Sequence, residues 1–124
     1  MSAQLSFRPD LMLPRLRKIY QRERVAGMVE LIDALAKEPW LDLIGWADHS
    51  HDCLYVNPVA INKTANSTTV QIGYDDEYYY TMHAIDEREP FGKQLRETVH
   101  TTTIAEAMQT LHRWLLSFQD QEEP

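Results

Sequence analysis

Between Pro14 and Lys37, apolar residues return every three or four positions, at Leu16, Ile19, Tyr20, Met28, Leu31, Ile32 and Leu35. That spacing lays one buried stripe along a helix, predicted over about residues 12–37. Pro14 suits a first helical position, where the missing N–H costs nothing. The stripe thins between Gln21 and Gly27, and Gly27 weakens a helix interior, so the segment reads as one helix with a soft middle or as two stacked pieces. A second helical stripe closes the chain, with Ile104, Met108, Leu111, Leu115 and Phe118 on the buried side and Trp114 flanking them. Thr103-Ile104-Ala105-Glu106 opens it as a capping box, in which hydroxyl and carboxylate reciprocally satisfy N–H groups at the helix start.

Between the helices the pattern changes to that of strands. Trp40, Leu41, Leu43, Ile44 and Trp46 form one dense apolar patch and Cys53-Leu54-Tyr55-Val56 a second, each a candidate strand; Asp48-His49-Ser50-His51-Asp52 reads as the turn between them. Residues 57–67, rich in Asn, Ser, Thr and Pro, read as a loop. Thr68 to Tyr74 and Tyr78 to Ile85 alternate apolar with polar around Asp75-Asp76-Glu77, which predicts a hairpin. A three-residue loop pairs Tyr74 with Tyr78, Ile72 with Tyr80 and Val70 with Met82, gathering the apolar set on one face and turning Tyr79, Thr81 and His83 outward. Asp86 to Gly92 reads as a loop, and Gln94 to Thr101 as a last strand with Leu95, Glu97, Val99 and Thr101 on one face. Helix, consecutive strands, helix is the order of an α+β domain: an antiparallel sheet of four to five strands with a central hairpin and the C-terminal helix packed on it.

Composition bounds this picture. At 124 residues and 44% apolar content the chain fits a single domain over 1–124, with 1–10 and 119–124 expected to fray. One cysteine, Cys53, permits no internal disulfide, and with neither a signal-type leader nor a membrane-length apolar run the expected location is cytoplasmic. Asn62-Lys63-Thr64 and Asn66-Ser67-Thr68 then read as chance sequons. The net charge of -7 has the wrong sign for nucleic acid or an anionic membrane as the main partner. Its distribution is uneven. Residues 1–38 hold seven basic and five acidic side chains, whereas the rest hold five basic and fourteen acidic, a balance of -9.

Chemistry-bearing residues are few. His49, His51 and Cys53 are zinc-competent types at alternate positions, but a structural site needs a fourth ligand and only the isolated His83, His100 and His112 remain. Cys53 otherwise packs as a small hydrophobe. His83 and His100 fall on neighbouring predicted strands, as an acid and base pair would, yet no Gly-x-Ser-x-Gly elbow or phosphate-binding glycine loop accompanies them. Arg15-Leu16-Arg17-Lys18 with Arg22 and Arg24 reads as a solvated helix face, because no aromatic ladder joins it. The most unusual stretch is Asp75-Asp76-Glu77 beside Tyr78-Tyr79-Tyr80. Carboxylates at a hairpin tip steer a basic partner, and tyrosine supplies stiff contact area with a polar end. Asp75, Asp76, Glu77, Tyr79 and His83 are accordingly the expected partner-binding residues, with no catalytic residue and no cofactor.

The short acidic α+β build, the meander from Trp40 to Thr101 with its acidic hairpin, and the closing helix Thr103 to Phe118 resemble bacterial immunity proteins of polymorphic and contact-dependent growth-inhibition toxins. The resemblance implies a cytosolic, non-enzymatic protein that occludes a cognate toxin, often a basic nuclease. A small metal-dependent or His/Cys hydrolase using His49, His51 and Cys53 with His83 is the competing reading. Phage- or plasmid-type inhibitors share the general build, and a homo-oligomeric subunit, such as a homodimer pairing the basic first helix with a neighbour's acidic sheet, is a further one.

Overall fold

The computed structural model describes residues 8–50, 53–58, 66–75, 79–88 and 92–120. Two helices, α1 (Pro9–Arg22) and α2 (Ala26–Leu35), precede a short 3-10 turn at Leu41–Leu43. Five strands follow: β1 (Ile44–Ser50), β2 (Cys53–Pro58), β3 (Asn66–Asp75), β4 (Tyr79–Arg88) and β5 (Gly92–Thr101). Helix α3 (Ile104–Asp120) comes last. The strands form one antiparallel meander in the order β1-β2-β3-β4-β5. This is the α+β architecture the element order predicts. Positions that follow one another on the sheet's inner face, among them Leu54, Val56, Val70, Ile72, Met82 and Ala84, are at most 1% exposed, and α1, α2 and α3 supply the rest of the core against them.

The predicted 12–37 helix is two helices, and the break falls before Gly27. Arg24 takes a left-handed φ of 60°, its N–H donates to the Gln21 carbonyl and the Val25 N–H donates to the Tyr20 carbonyl. That pair of bonds is a Schellman stop, here built on arginine in the place glycine usually takes. Pro9, not Pro14, occupies the first helical position; Pro14 lies inside α1 on its exposed side. Gly27 serves packing. A Cβ there would stand 2.2 Å from two ring atoms of Tyr74, and the Tyr80 hydroxyl donates to the Gly27 carbonyl at 2.6 Å. Burial pushes the Tyr80 phenol up to about 12, with the Glu30 carboxylate and Tyr74 adding to the shift.

Several predicted boundaries move. Leu41 and Leu43 belong to the 3-10 turn rather than a strand, and Asp48, His49 and Ser50, expected in a turn, are part of β1; residues 51–52 lie outside the described set. Asn57, Pro58, Asn66 and Ser67 are strand residues at the ends of the predicted 57–67 loop, and Asp86 to Arg88 and Gly92 likewise extend β4 and β5 into the predicted 86–92 loop. Pro9, Asp10, Gln119 and Asp120, expected to fray, are helical. The β3–β4 hairpin pairs Asp75 with Tyr79, Tyr74 with Tyr80 and Ile72 with Met82. Its register is shifted by two from the predicted one, which leaves Val70, Ile72, Tyr80 and Met82 on the predicted inner face and Thr81 and His83 on the outer one.

The α3 capping box forms, with its return bond moved by one residue. Thr103 Oγ1 accepts from the Glu106 N–H at 3.1 Å, while the Glu106 carboxylate accepts from the Thr102 N–H and from both threonine hydroxyls. Those bonds, the Thr102 hydroxyl first, hold the Glu106 carboxyl below its ordinary value of 4.5. Trp114 is buried rather than flanking, and its indole N–H donates to Glu97 on β5 at 2.9 Å.

Candidate surface on the open sheet face

All three helices lie on one side of the sheet. Among the described residues no helix covers the other side, and its positions fall in three rows across the strands. One row runs Trp46, Asn57, Thr69, Ile85, Leu95; the next Asp48, Tyr55, Gln71, His83, Thr98; the third, from β2 to β5, Cys53, Gly73, Thr81, His100.

Two β-bulges determine the first row. On β1, Ile44 opposes Pro58 but Trp46 opposes Asn57, so Gly45 is the extra residue and the two apolar side chains separate, Ile44 to the core and Trp46 to the open face. On β5, Glu97 opposes Ala84 but Leu95 opposes Ile85, so Arg96 is extra. Leu95 therefore does not share the face of Glu97, Val99 and Thr101 as predicted; it lies on the open side, 62% exposed. A bulge places two residues against one and turns the side chain beyond it to the other face. Both edge strands carry one at the same level of the sheet, and Trp46, at 37% exposure, and Leu95 stand at the two ends of one row.

The polar members of this face satisfy one another across strands. His83 Nδ1 lies 2.9 Å from Thr98 Oγ1, and His100 Nδ1 lies 3.1 Å from Thr81 Oγ1. Asn57 Nδ2 donates to Thr69 Oγ1 at 2.8 Å, and Gln71 Nε2 reaches Cys53 Sγ at 3.5 Å. Towards β1 the face hollows into a groove of about 340 Å³, lined by Trp46, Asp48, His49, Tyr55, Asn57, Thr69, Ile85 and Lys93.

The predicted chemistry residues scatter across this frame. His49 and Cys53 lie on neighbouring strands at positions of opposite face: His49 pairs with buried Leu54 and its ring meets Tyr20 edge-on, whereas Cys53 stands in the third open row. Alternation would bring them to one face only along a single continuous strand, whereas His49 and Cys53 belong to two antiparallel strands. His51 lies outside the described residues, and among those described no group of three His, Cys, Asp or Glu side chains is arranged to hold a metal. His83 and His100 are near neighbours, each bonded to the threonine opposite it. Of the predicted partner-binding residues, His83 lies in the middle row; Asp75 and Tyr79 pair as the last rungs of the hairpin, their side chains outside the described set, as are Asp76 and Glu77 entirely. In the basic stretch, Leu16 is core and Arg17 forms a two-pronged pair with Asp33 of α2, at 2.7 and 3.4 Å. The Arg17 guanidinium holds the Asp33 carboxyl below its ordinary value. A signal for Trp46 existed in the sequence: an isolated glycine inside a strand pattern, Gly45, marks a bulge.

The architecture defines a class, an α+β meander with three helices on one side and, on the other, a partly aromatic sheet face that no described helix covers. No known protein family matches the chain, and neither a curated protein nor a solved structure does. No helix among the described residues is long and apolar enough to cross a membrane.

Proposed function

We propose that this chain is a small, non-enzymatic bacterial binding protein of the cytoplasm that neutralises a basic toxin or effector protein by occluding it, as immunity proteins do. The observation that carries the reading is the sheet face that no described helix covers: two bulges set Trp46 and Leu95 on it, and His83 and His100 pair across strands with Thr98 and Thr81. Exposed aromatic and apolar side chains set among polar ones are the composition of a recognition surface. Charge supports the same reading. Ser50, Cys53, Asp75 and Tyr79 end their strands at one edge of the sheet, and the segments joining them, residues 51–52 and 76–78, contribute Asp52, Asp76 and Glu77 and no basic residue. Acidic groups at that edge would accelerate encounter with a basic partner.

The test is affinity capture of the partner followed by association kinetics against salt. Replacing Asp75, Asp76 and Glu77 by Ser is expected to slow association and to flatten its salt dependence, with dissociation changed less. Unchanged kinetics would remove the acidic edge from recognition, and a captured partner with no basic surface would end the reading.

A further inference from the structure

We infer that the groove on the open sheet face is an arginine-accepting subsite, built to take a guanidinium side chain from the surface of a basic protein partner. The inference rests on the binding-protein reading above and names the chemistry of one contact within it.

The site is a two-by-two block on β1 and β2. Trp46 stands directly opposite Asn57, and Asp48 directly opposite Tyr55, so the two rings are diagonal neighbours with a carboxylate and an amide filling the other corners. Diagonal positions on one face of an antiparallel pair are within reach of aromatic side chains. The block offers acceptors. Asp48 is 60% exposed, and its contacts are local: it accepts from the His49 backbone N–H at 2.8 Å and lies 3.6 Å from His49 Nδ1. Asn57 commits its amino group to Thr69 Oγ1 and the Thr68 carbonyl, which leaves its own carbonyl oxygen with no donor among the described residues.

Carboxylate, free amide oxygen and two aromatic rings suit one ligand class closely. A guanidinium is flat, carries five N–H donors in its plane for the two acceptors, and presents a face that stacks on tryptophan or tyrosine. An ammonium is a compact, strongly hydrated point charge and uses the ring faces less. A neutral apolar side chain would add no donor for the Asn57 oxygen and leave the Asp48 carboxylate only its local bond from the His49 N–H. The one basic residue of the lining, Lys93, belongs to β5, the opposite edge strand, so the cation is expected at the β1 end. The groove, about 340 Å³, is of side-chain or small-ligand size. The Gly45 bulge gives the arrangement its origin, since in a regular strand Trp46, two residues after Ile44, would share its inward face.

The experiment titrates the full chain, labelled with nitrogen-15, with N-acetyl-arginine amide, and in parallel with the lysine and citrulline counterparts. Citrulline keeps the shape of arginine and removes its charge. The expected result is saturable shifts centred on the Trp46 indole N–H and on the amides of Asp48, Tyr55 and Asn57. Arginine should bind more tightly than lysine, and citrulline should give no shift at the same concentrations. Asp48→Asn should weaken arginine binding by up to about fivefold, the scale of one exposed charge pair. Trp46→Leu, which keeps apolar bulk but no π face, should weaken it as well. Equal response to citrulline, shifts centred elsewhere, or unchanged affinity in both folded variants would overturn the subsite. A blank titration alongside a captured basic partner refutes the groove alone; saturable arginine binding with no basic partner captured refutes the neutralisation reading alone.

Discussion

Gly27 is the sharpest place to test the packing of the helix layer, because two principles there predict opposite signs. Gly→Ala in a helix interior ordinarily stabilises by about 1 kcal/mol, and by less in the first turn, where Gly27 lies. Here the new Cβ would lie 2.2 Å from two atoms of the Tyr74 ring and 2.5 Å from a third, well inside contact distance. Helix α2 cannot retreat without stretching the 2.6 Å bond from Tyr80 to the Gly27 carbonyl, so the Tyr74 ring must move. That ring pairs with Tyr80 at a centroid distance of 5.5 Å. Overpacking costs about 1–3 kcal/mol and a lost aromatic pair about 0.5–1.5 kcal/mol. Set against the propensity gain, Gly27→Ala should destabilise by about 1–3 kcal/mol. The assay is urea unfolding followed by tryptophan fluorescence, with Tyr74→Ala and the double variant completing a cycle. With the Tyr74 ring removed, Gly27→Ala should become neutral or stabilising, giving a coupling of about 1–3 kcal/mol between the two sites. A stabilised single variant, or a cost that persists unchanged in the Tyr74→Ala background, refutes the steric reasoning.

The remaining predictions concern termini and titrating groups. Arg24→Gly should stabilise by about 0.5–1 kcal/mol, since glycine adopts the left-handed conformation of the α1 stop without the Cβ penalty, and thermal unfolding would register the gain. Thr103→Ala removes the acceptor for the Glu106 N–H and should cost about 1 kcal/mol in the same assay. Glu106 titrates lower in the folded chain than its ordinary 4.5, so its contribution is present above pH 4.5 and fades as the pH falls through the folded value; Glu106→Gln should flatten the acid limb of a stability-against-pH curve. Tyr80 is raised from 10 to about 12, the opposite displacement, so its contribution is complete below pH 10 and is lost between pH 10 and 12. Ultraviolet titration of the native protein should show a late-ionising tyrosine that Tyr80→Phe removes.

What could be read from the chain and what could not divides along physical lines. The faces of β3 and β4 were legible because side chains alternate with period two, and the same periodicity hid the register: pairing Tyr74 with Tyr78 or with Tyr80 satisfies the apolar pattern equally. Only the turn discriminates, and Asp75-Asp76-Glu77-Tyr78 carries no glycine or asparagine to fix its position. The break between α1 and α2 lies within the thin stretch from Gln21 to Gly27, as expected of two stacked pieces, but its cause was not legible. Gly27 drew attention as the weak point, yet its missing side chain makes room for Tyr74, while the stop itself sits on Arg24, which has no propensity for the conformation it adopts. The capping box was readable because its chemistry is local. The open-face groove was not, since its lining reaches from Trp46 to Lys93 across the sheet and depends on a bulge at Gly45.

The two sides of the sheet separate holding the fold from meeting a partner. On the inner side Tyr20 donates to the Cys53 carbonyl, Tyr80 to Gly27 and Trp114 to Glu97, so buried aromatic residues tie all three helices to strands through directional bonds. On the outer side His83 with Thr98, His100 with Thr81, Asn57 with Thr69 and Gln71 with Cys53 bond across strands, so these pairs stay bonded with no described helix over them. A face already ordered in the free protein loses little conformational freedom when it binds, which favours docking with small backbone change. The bulges bear on the geometry of that docking. Each edge strand, β1 and β5, is interrupted by an extra residue, and an interrupted edge is a poor template for adding a foreign strand. Strand addition along either edge is therefore disfavoured, whereas Trp46 and Leu95, turned outward by those same bulges, favour a partner that lies across the face. It follows that Trp46→Leu and Leu95→Ser should alter recognition while leaving urea stability within about 0.5 kcal/mol, the ordinary range for surface substitutions. Gly27→Ala should do the reverse.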